Sequence, residues 1–156
     1  MIKERFLAAF NQLMHNRDGL IEDCRLAQNV LCDTTAIDTE LTELFREIEV
    51  VTELSRKAIY ENTRLTVDQK EWTKRNNAYL ERHHKASERV DELEAVKRER
   101  LGKGKIIEGF IKDIESRPLA IAEFDEKLWL AVIDQVTVNQ DGAMIFRFKN
   151  GSEVTA

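Results

Sequence analysis

The stretch "VTVNQDGAMIFRFKNGSEV", residues 136–154, decides what kind of fold this chain can have. Apolar and polar residues alternate on both sides of Asp141-Gly142, and an Asp-Gly pair between alternating runs is the strongest short-range signal for a β-hairpin. A two-stranded hairpin on its own is at best marginally stable in water. The β-hairpin must therefore pack on a helix of this chain, or pair with strands that lie outside the sequence.

The composition around this β-hairpin favours long helices. Charged residues make up 34% of the 156 residues, with one proline and six glycines, and such a composition is typical of helical chains. The net charge of −5 argues against a chain whose whole surface binds nucleic acid, although a local basic patch is compatible with it. The sequence has no secretion signal and no long apolar run, which predicts a cytoplasmic protein that does not enter a membrane and whose two cysteines, Cys24 and Cys32, are reduced thiols.

A heptad pattern runs through the middle of the chain. Seam residues recur at alternating spacings of four and three on a first arm, and a second arm repeats the rhythm after a polar link in which Thr66 or Asp68 is the expected cap. The seam positions are Ile37, Leu41, Leu44, Ile48, Val51, Ser55, Ala58 and Asn62 on the first arm and Trp72, Asn76, Tyr79, His83, Ala86, Val90 and Leu93 on the second. Two such arms predict an antiparallel coiled-coil hairpin over residues 34–101.

The segment before the hairpin, residues 1–33, is predicted to contribute helices to a small base. Its apolar residues follow helical periodicity, with a break at Gly19 and a cap at Asp18. After the hairpin, Gly102 and Gly104 are expected to interrupt the second arm, because a glycine in a helix interior costs about 1 kcal/mol relative to alanine.

Residues 102–156 are predicted to complete the base. A short amphipathic helix ends at Pro118, and a last helix is capped by Asp125. The inward positions of the short helix are Ile106, Ile107, Phe110, Ile111 and Ile114. The expected structural anchors of the last helix and the β-hairpin are Phe124, Trp129, Phe146 and Phe148. The predicted fold class is mainly α: a long antiparallel coiled-coil hairpin on a small α+β base with a C-terminal β-hairpin.

Few residues suggest catalysis. Glu81 and His84 have the i, i+3 spacing of carboxylate-bridged di-metal bundles, but the sequence lacks a second copy and two further inward glutamates at matching positions. A solvated helix surface is the favoured interpretation of this pair. No serine lies in a nucleophile elbow and no Cys–His arrangement is present, so the residues predict no catalytic site, no metal site and no small-molecule substrate.

Basic residues are concentrated at two places. The run "KRERLGKGK", residues 97–105, contains a single acid, and a solvated charge run is its simplest interpretation. Arg147 and Lys149 share one face of the last predicted strand, opposite its apolar residues. Together with Lys103 and Lys105, these two residues are the candidate contacts to DNA phosphates.

The order of elements resembles the C-terminal region of the large serine recombinases. The closing segment "FDEKLWLAVIDQVTVNQDGAMIFRFKNGSEV", residues 124–154, is similar to that family's signature of a Phe-Asp-Glu helix, a Val-x-Val strand and a Phe-x-Phe-x-x-Gly strand. The opening "IKERFLAAFNQLMHNRDGLI", residues 2–21, resembles the helix that follows the family's zinc-ribbon cysteines. The middle, including "YENTRLTVDQKEW" at residues 60–72, resembles the family's inserted coiled-coil hairpin.

This resemblance implies parts that the sequence does not contain. Family members carry an N-terminal resolvase domain with the nucleophilic serine, a helical recombinase domain, and zinc-binding cysteines upstream of the opening segment. Cys24 and Cys32 do not match the zinc positions. The chain would then be a non-catalytic C-terminal piece with no cofactor of its own, whose parent holds zinc through upstream ligands. In the parent, the C-terminal β-hairpin would complete a zinc-ribbon subdomain.

The resemblance also implies a role in site-specific DNA integration and excision. The parent would bind attachment-site DNA, and the hairpin would self-associate with that of another DNA-bound subunit to promote synapsis. A thin rod with a polar tip suits reversible association, because little area is buried. Leu65 and Val67 are the candidate tip contacts, with the alternative that they cap the hairpin's own core.

Two other function classes compete with this interpretation. The first is a freestanding cytoplasmic coiled-coil scaffold that binds a protein partner without DNA. The second is a metal-dependent enzyme centred on Glu81 and His84.

Overall fold

The computed structural model describes every residue from 1 to 156. It contains five helices and three strands: α1 (Ile2–Met14), α2 (Arg17–Cys32), α3 (Thr35–Arg64), α4 (Gln69–Glu115), α5 (Glu126–Val132), β1 (Ile133–Val138), β2 (Met144–Phe148) and β3 (Glu153–Thr155). The prediction of a mainly α chain with a small antiparallel β element at its C-terminus is confirmed. No helix has an apolar stretch long enough to cross a lipid bilayer.

The chain forms two compact units. The first unit consists of Met1–Cys32 together with Arg100–Ala156, and the second is the segment Asp33–Glu99. The predicted hairpin range of 34–101 differs from the second unit by one residue at its start and two at its end. Helix α4 contributes its first part to the second unit and its last part to the first.

The core of the first unit brings the two ends of the sequence together. Helix α1 packs an apolar stripe with the last part of α4, with α5 and with the sheet, and the stripe has the three- and four-residue spacing of an amphipathic helix. The first unit is therefore discontinuous in sequence, with the second unit inserted into it. Its largest fully buried side chains are Phe6, Phe10, Met14, Phe110, Ile111, Ile114, Leu128, Val132, Phe146 and Phe148.

The C-terminal sheet contains a third strand that the sequence pattern did not reveal. The strands pair antiparallel in the order β1-β2-β3, with Val136 and Val154 on either side of Phe146. Gly142 and Gly151 lie in the two connections with φ angles of 85° and 89°. Glycine adopts this left-handed region without a steric penalty, so both tight turns are compatible with their sequences.

The sheet shows what the β-hairpin packs on. Its inward side chains, Met144, Phe146, Phe148 and Val154, are buried in the same core as the helices of this chain. This face of the sheet therefore packs on helices of the same chain, which is the first of the two alternatives given for the β-hairpin. Strands β1 and β3 form the sheet's edges. The expectation that a zinc ribbon supplies neighbouring strands stays a prediction.

The expected interruption at Gly102 and Gly104 is wrong, because α4 continues through both residues. Gly104 is buried where α4 meets α2, and a Cβ on it would lie 2.7 Å from the Sγ of Cys32. Glycine thus fits a close helix–helix approach at this position. The burial of Ile107 and Phe110 in the following turns fixes this part of α4, and such packing outweighs the low helix propensity of glycine.

Two smaller expectations for the first unit are also wrong. The chain breaks at residues 15–16, between α1 and α2, whereas Gly19 lies inside α2 and Asp18 lies in its first turn instead of before it. Ile106 is 51% exposed, although it was expected to face inward. The other four inward positions of that segment are buried: Ile107, Phe110, Ile111 and Ile114.

The second unit is an antiparallel helical hairpin, as the heptads predict. Hydrogen-bonded pairs between the arms show the antiparallel direction, because the residue number on α4 decreases as that on α3 increases. The pairs are Asp38–Lys97, Glu47–Arg82 and Ser55–Asn76, at 2.6, 2.8 and 3.0 Å. The buried seam residues are Ile37, Leu41, Val51 and Ala58 on α3 and Ala86, Val90 and Leu93 on α4. His83, which the heptads place on the seam, is exposed.

The link between the arms begins α4 with a side-chain cap. The Oδ1 atom of Asp68 accepts a hydrogen bond of 2.9 Å from the backbone N–H of Lys70, so Asp68, not Thr66, has the predicted role. One turn later, the indole Nε1 of Trp72 donates to the carbonyl oxygen of Ala58 at 2.7 Å. This bond ties the two arms together near their distal ends.

The cross-arm ion pairs make the stability of the hairpin depend on pH. Hydrogen bonds from Arg89 hold the pKa of Glu40 below its ordinary value of 4.5, and hydrogen bonds from Lys97 and Thr34 hold the pKa of Asp38 below 3.8. Because both pKa values are lowered by folding, the stabilisation is fully present above the unfolded-state values and is lost as the pH falls through the folded-state values.

We therefore expect the urea midpoint of the hairpin to fall as the pH decreases below about 4.5. Both carboxylates are solvent-exposed, so the change will be modest. Urea titrations at several pH values, followed by Trp72 fluorescence in a Trp129→Phe background, measure this change in the midpoint. The Asp38→Asn, Glu40→Gln double variant is the control, because it should show a flatter pH dependence; identical profiles for the two proteins would contradict the assignment.

Candidate functional site

An aromatic cluster in the first unit positions the strands that carry the candidate DNA contacts. The ring of Trp129 on α5 lies edge-on to the rings of Phe6 and Phe146, with centroids 5.0 and 6.2 Å apart. The ring of Phe124 lies 5.7 Å from that of Phe6. Phe146 and Phe148 are fully buried, whereas Phe124 and Trp129 are partly buried against the same core. The structure thus places all four predicted anchors in one core.

Helix α5 is oriented by its predicted cap. The Oδ1 atom of Asp125 accepts hydrogen bonds from the backbone N–H groups of Lys127 and Leu128, and its Oδ2 atom accepts one of 2.7 Å from Arg117. The hydrogen bond from Arg117, supported by the two backbone bonds, lowers the pKa of Asp125 below 3.8. The carboxylate therefore stays ionised and holds the start of α5 against the segment that precedes it.

Arg147 lies on the outer face of β2, away from the core. Its guanidinium group donates to Glu153 on β3 at 2.8 Å, and its Nη1 atom lies 3.5 Å from the Oε1 atom of Gln135 on β1. Both members of the Arg147–Glu153 pair are about half exposed, with relative side-chain accessibilities of 48%. The neighbouring strands thus hold the arginine, and Glu153 offsets part of its charge.

Lys149 follows β2 and lies in a different environment from Arg147. Its Nζ atom donates a 2.6 Å hydrogen bond to the carbonyl oxygen of Leu130. The residue lines a groove of about 670 Å³, which it shares with Lys103 and with apolar residues of α2 and α4. Three of these apolar residues are more than half exposed: Leu26, Val30 and Ile106.

The four candidate DNA contacts do not form a single patch. Lys103 and Lys149 line the same groove, whereas Lys105 and Arg147 are exposed outside it. The expectation that Arg147 and Lys149 share one face is wrong, because β2 ends at Phe148 and Lys149 turns towards α5. The geometry therefore offers one two-lysine groove and two separate basic side chains.

The net negative charge is concentrated in the hairpin. The segment Asp33–Glu99 contains sixteen acidic and twelve basic side chains, whereas the first unit contains thirteen acidic and twelve basic ones. The first unit is thus close to neutral. A polyanion meets less overall repulsion there than at the hairpin.

The two candidate tip residues lie in different environments. Leu65 ends α3 and is 63% exposed. Val67 is partly buried and lines a shallow cleft with Trp72 and Arg75. Leu65 is therefore accessible to a partner, while Val67 lies against the hairpin itself, as in the alternative considered for both residues.

Glu81 and His84 are each engaged by a neighbour on α4. Glu81 forms an ion pair of 3.0 Å with Lys85, and the Nε2 atom of His84 lies 3.2 Å from Glu88. The chain contains no group of three or more His, Cys, Asp or Glu side chains arranged to hold a metal ion. The pair belongs to the exposed surface of the hairpin.

The two cysteines are free thiols in contrasting environments. Cys24 is buried, and the Nδ2 atom of Asn150 lies 3.5 Å from its sulfur. Burial raises the pKa of the Cys24 thiol above its ordinary value of 9.0, which keeps it protonated and unreactive at neutral pH. Cys32 is exposed at the end of α2.

Sequence reasoning missed the groove beside Lys149, and it missed Phe6 as a partner of the aromatic anchors. Helical periodicity placed Phe6 on an apolar stripe of α1, which was the available signal for its burial. The groove depends on how α2, α4 and the turn after β2 pack together, and no local sequence pattern predicts that packing.

Comparison of the chain with protein-family models, with curated proteins and with solved structures found no significant match. The likeness to the large serine recombinases therefore rests on the three quoted segments and stays a prediction.

Proposed function

We propose that this chain is the non-catalytic C-terminal part of a cytoplasmic site-specific serine recombinase. In this proposal the first unit takes part in binding the DNA site, and the hairpin joins subunits during integration and excision. The observation that carries the proposal is the meeting of the two segments that resemble the family: residues 2–21 and 124–154 share one core around Phe6, Trp129 and Phe146. The hairpin is inserted between them, which is the arrangement that the resemblance implies.

The distribution of charge supports a DNA-binding role for the first unit. Its acidic and basic residues nearly balance, and Lys103 and Lys149 line one groove. Lysine contacts to phosphates position a protein on DNA and release condensed counterions, so they make the affinity depend on salt. Arg147 contributes less in this proposal, because Glu153 already pairs with it.

The first test is salt-dependent binding of the 156-residue chain to labelled duplex DNA, measured by fluorescence anisotropy. We expect Lys103→Glu with Lys149→Glu to weaken binding and to reduce the slope of log K against log salt by about two, because each phosphate contact contributes roughly one unit. Lys74→Glu on the hairpin is the matched control and should leave the slope unchanged. Equal losses from both variants would remove the groove from the DNA interface.

The hairpin supports the subunit-joining role through its exposed distal end. Leu65 projects an apolar side chain from the polar link, and the seam beside the distal end is closed by polar pairs such as Ser55–Asn76. A partner that contacts this end buries little apolar area, and a small buried area leaves little surplus over the cost of association. Such a contact is reversible, so that joined subunits can separate again.

The second test is self-association of the chain in analytical ultracentrifugation. We expect Leu65→Asp with Val67→Asp to weaken self-association and to leave the helical circular dichroism nearly unchanged, because both residues lie outside α3 and α4. Thr66→Asp adds a charge to the same link without removing an apolar side chain and serves as the control. Unchanged association of the Leu65, Val67 variant would exclude tip contacts. If the unmodified chain self-associates but does not bind DNA in the first test, the protein-scaffold interpretation is favoured instead.

A further inference from the structure

The two flanks of the hairpin seam differ in chemistry. In heptad terms the seam residues of both arms are the a and d positions, and the g and e positions flank them on opposite sides. The g flank is closed by ion pairs between the arms: Glu40–Arg89 at 2.7 Å, Glu47–Arg82 at 2.8 Å and Glu61–Arg75 at 3.3 Å. This flank has its partners within the chain.

The e flank is uncharged over two heptads of each arm. We define it by Phe45, Thr52 and Ile59 on α3 and by Thr73, Leu80 and Ser87 on α4. Phe45, Ile59 and Leu80 are 51%, 51% and 53% exposed. The e and g positions of a two-stranded coiled coil usually carry charged residues, and a row of exposed apolar side chains marks an interaction surface.

We propose that the e flank binds the e flank of a second copy of this chain, with the two hairpins antiparallel. The inference rests on the self-association proposed above and gives it a contact surface in addition to the distal end. A two-fold axis at the level of Thr52 and Leu80 places each arm against the same arm of the second copy, running in the opposite direction. Phe45 then faces Ile59 of the second copy, and Leu80 faces its own counterpart. Each exposed apolar side chain of the e flank thereby gains an apolar partner.

The charges beside the e flank select a second copy as the occupant. The b positions of a heptad lie next outward from the e positions, and here they include Glu49 and Arg56 on α3 and Lys70 and Asp91 on α4. The same two-fold axis places Lys70 opposite Asp91 of the second copy and Glu49 opposite its Arg56, which also pairs with Glu53 of its own helix at 2.8 Å. A surface that pairs its own opposite charges across a two-fold axis is self-complementary.

The charge along the hairpin points to the same orientation. Residues 50–80, the distal half, contain six basic and four acidic side chains, whereas residues 33–49 and 81–99 contain six basic and twelve acidic ones. Antiparallel overlap places the positive distal half of one copy along the negative half of the other.

The contact is short and therefore reversible. Two heptads of helix are roughly 21 Å long. The e flank offers three large apolar side chains per copy, whereas a stable interface buries about 20–30 residues on each side. We expect a concentration-dependent dimer that dissociates readily.

Sedimentation equilibrium of the 156-residue chain tests the pairing through charge reversal. Glu49→Arg and Arg56→Glu each create like charges at both symmetry-related contacts, and each should raise the dimer dissociation constant roughly tenfold. An equimolar mixture of the two variants should associate as the unmodified chain does, because every contact again joins opposite charges. Restoration by mixing is the result expected when Glu49 of one copy faces Arg56 of the other. Failure of the mixture to associate, or two single variants without effect, would overturn the inference.

A matched pair of neighbouring residues tests the apolar part of the flank. Ile59→Ser should weaken the dimer, whereas Tyr60→Ser should not, because Tyr60 is similarly exposed at 54% but lies outside the e flank. Helical circular dichroism checks that both variants keep their fold. Equal effects of the two substitutions would contradict the inference.

The same experiments separate this inference from the tip contact. If the Leu65, Val67 variant weakens association while the e-flank variants do not, self-association at the tip stands and the e-flank pairing is overturned. If the unmodified chain is monomeric at every concentration, both are overturned. Weakening by Glu49→Arg, Arg56→Glu and Ile59→Ser, with restoration on mixing, supports the e-flank dimer.

Discussion

Replacing Phe146 by alanine is expected to lower the free energy of unfolding of the first unit by about 3–5 kcal/mol. Phe146 is fully buried in the middle strand of the sheet, and its ring meets those of Phe6 and Trp129 at centroid distances of 6.3 and 6.2 Å. Removing the ring loses its apolar burial and its contacts with both rings, of which that with Trp129 is edge-to-face. It also leaves a cavity between α1, α5 and the sheet. The destabilisation is therefore expected in the core that the two ends of the sequence share.

Urea unfolding of a Trp72→Phe background measures this loss, because Trp129 is then the only tryptophan of the chain. Ile145→Ala is the matched control, since Ile145 is the neighbouring residue of β2 and its side chain points to the opposite, partly exposed face. We expect the control to cost well below the Phe146 substitution. A cost for Phe146→Ala of less than about 1 kcal/mol would show that the aromatic cluster does not hold the first unit together. Trp129→Ala in the unmodified chain, followed by circular dichroism because the substitution removes the Trp129 reporter, should cost less than Phe146→Ala, because Trp129 is only partly buried.

The hairpin was the most predictable part of the fold. Its seam repeats every seven residues, and each repeat supports the same helix face, so errors at single positions do not change the outcome. Val51, Ala58 and Val90 are buried where the heptads place them. The flanking positions carried a signal that the apolar pattern alone does not use: glutamates at g positions of α3 lie opposite arginines at g positions of α4. This signal fixes the antiparallel pairing.

The third strand and the continuity of α4 were not predictable from local pattern. Strand β3 has three residues, with Val154 as its single buried residue. Three residues are too few for an alternating apolar and polar pattern to be recognised. Gly102 and Gly104 are typical of a helix break when considered alone. Their low helix propensity is outweighed by the packing of residues such as Ile107 and Phe110, whose partners in the core lie at the other end of the sequence.

The candidate DNA contacts illustrate the same limit. Alternation correctly placed Arg147 on the outer face of β2. The partners of these side chains depend on elements that the pattern could not position: Glu153 on β3 for Arg147, and the carbonyl oxygen of Leu130 at the end of α5 for Lys149. A site built from side chains of separate elements thus requires the fold before its geometry can be stated.

Replacing Val51 by aspartate should destabilise the hairpin by about 3 kcal/mol or more. Val51 is 1% exposed on the seam, where a carboxylate would lose its hydration and find no cation in place of the apolar contacts. Val50→Asp is the matched control, because Val50 is 45% exposed on the next position of the same helix. The change in helix propensity is the same in both variants and cancels in the comparison.

A Trp129→Phe background isolates the hairpin, since Trp72 then reports alone and its indole donates to Ala58 across the two arms. We expect Val51→Asp to lower the free energy of unfolding reported by Trp72 strongly, and Val50→Asp to lower it by less than about 1 kcal/mol. Equal shifts would mean that the seam is not a packed core and that helix propensity holds the arms. The same variants link stability to function: a hairpin that loses its seam also loses the spacing between α3 and α4 on which the e flank depends. Val51→Asp should therefore weaken self-association together with stability, while Glu49→Arg should weaken self-association alone.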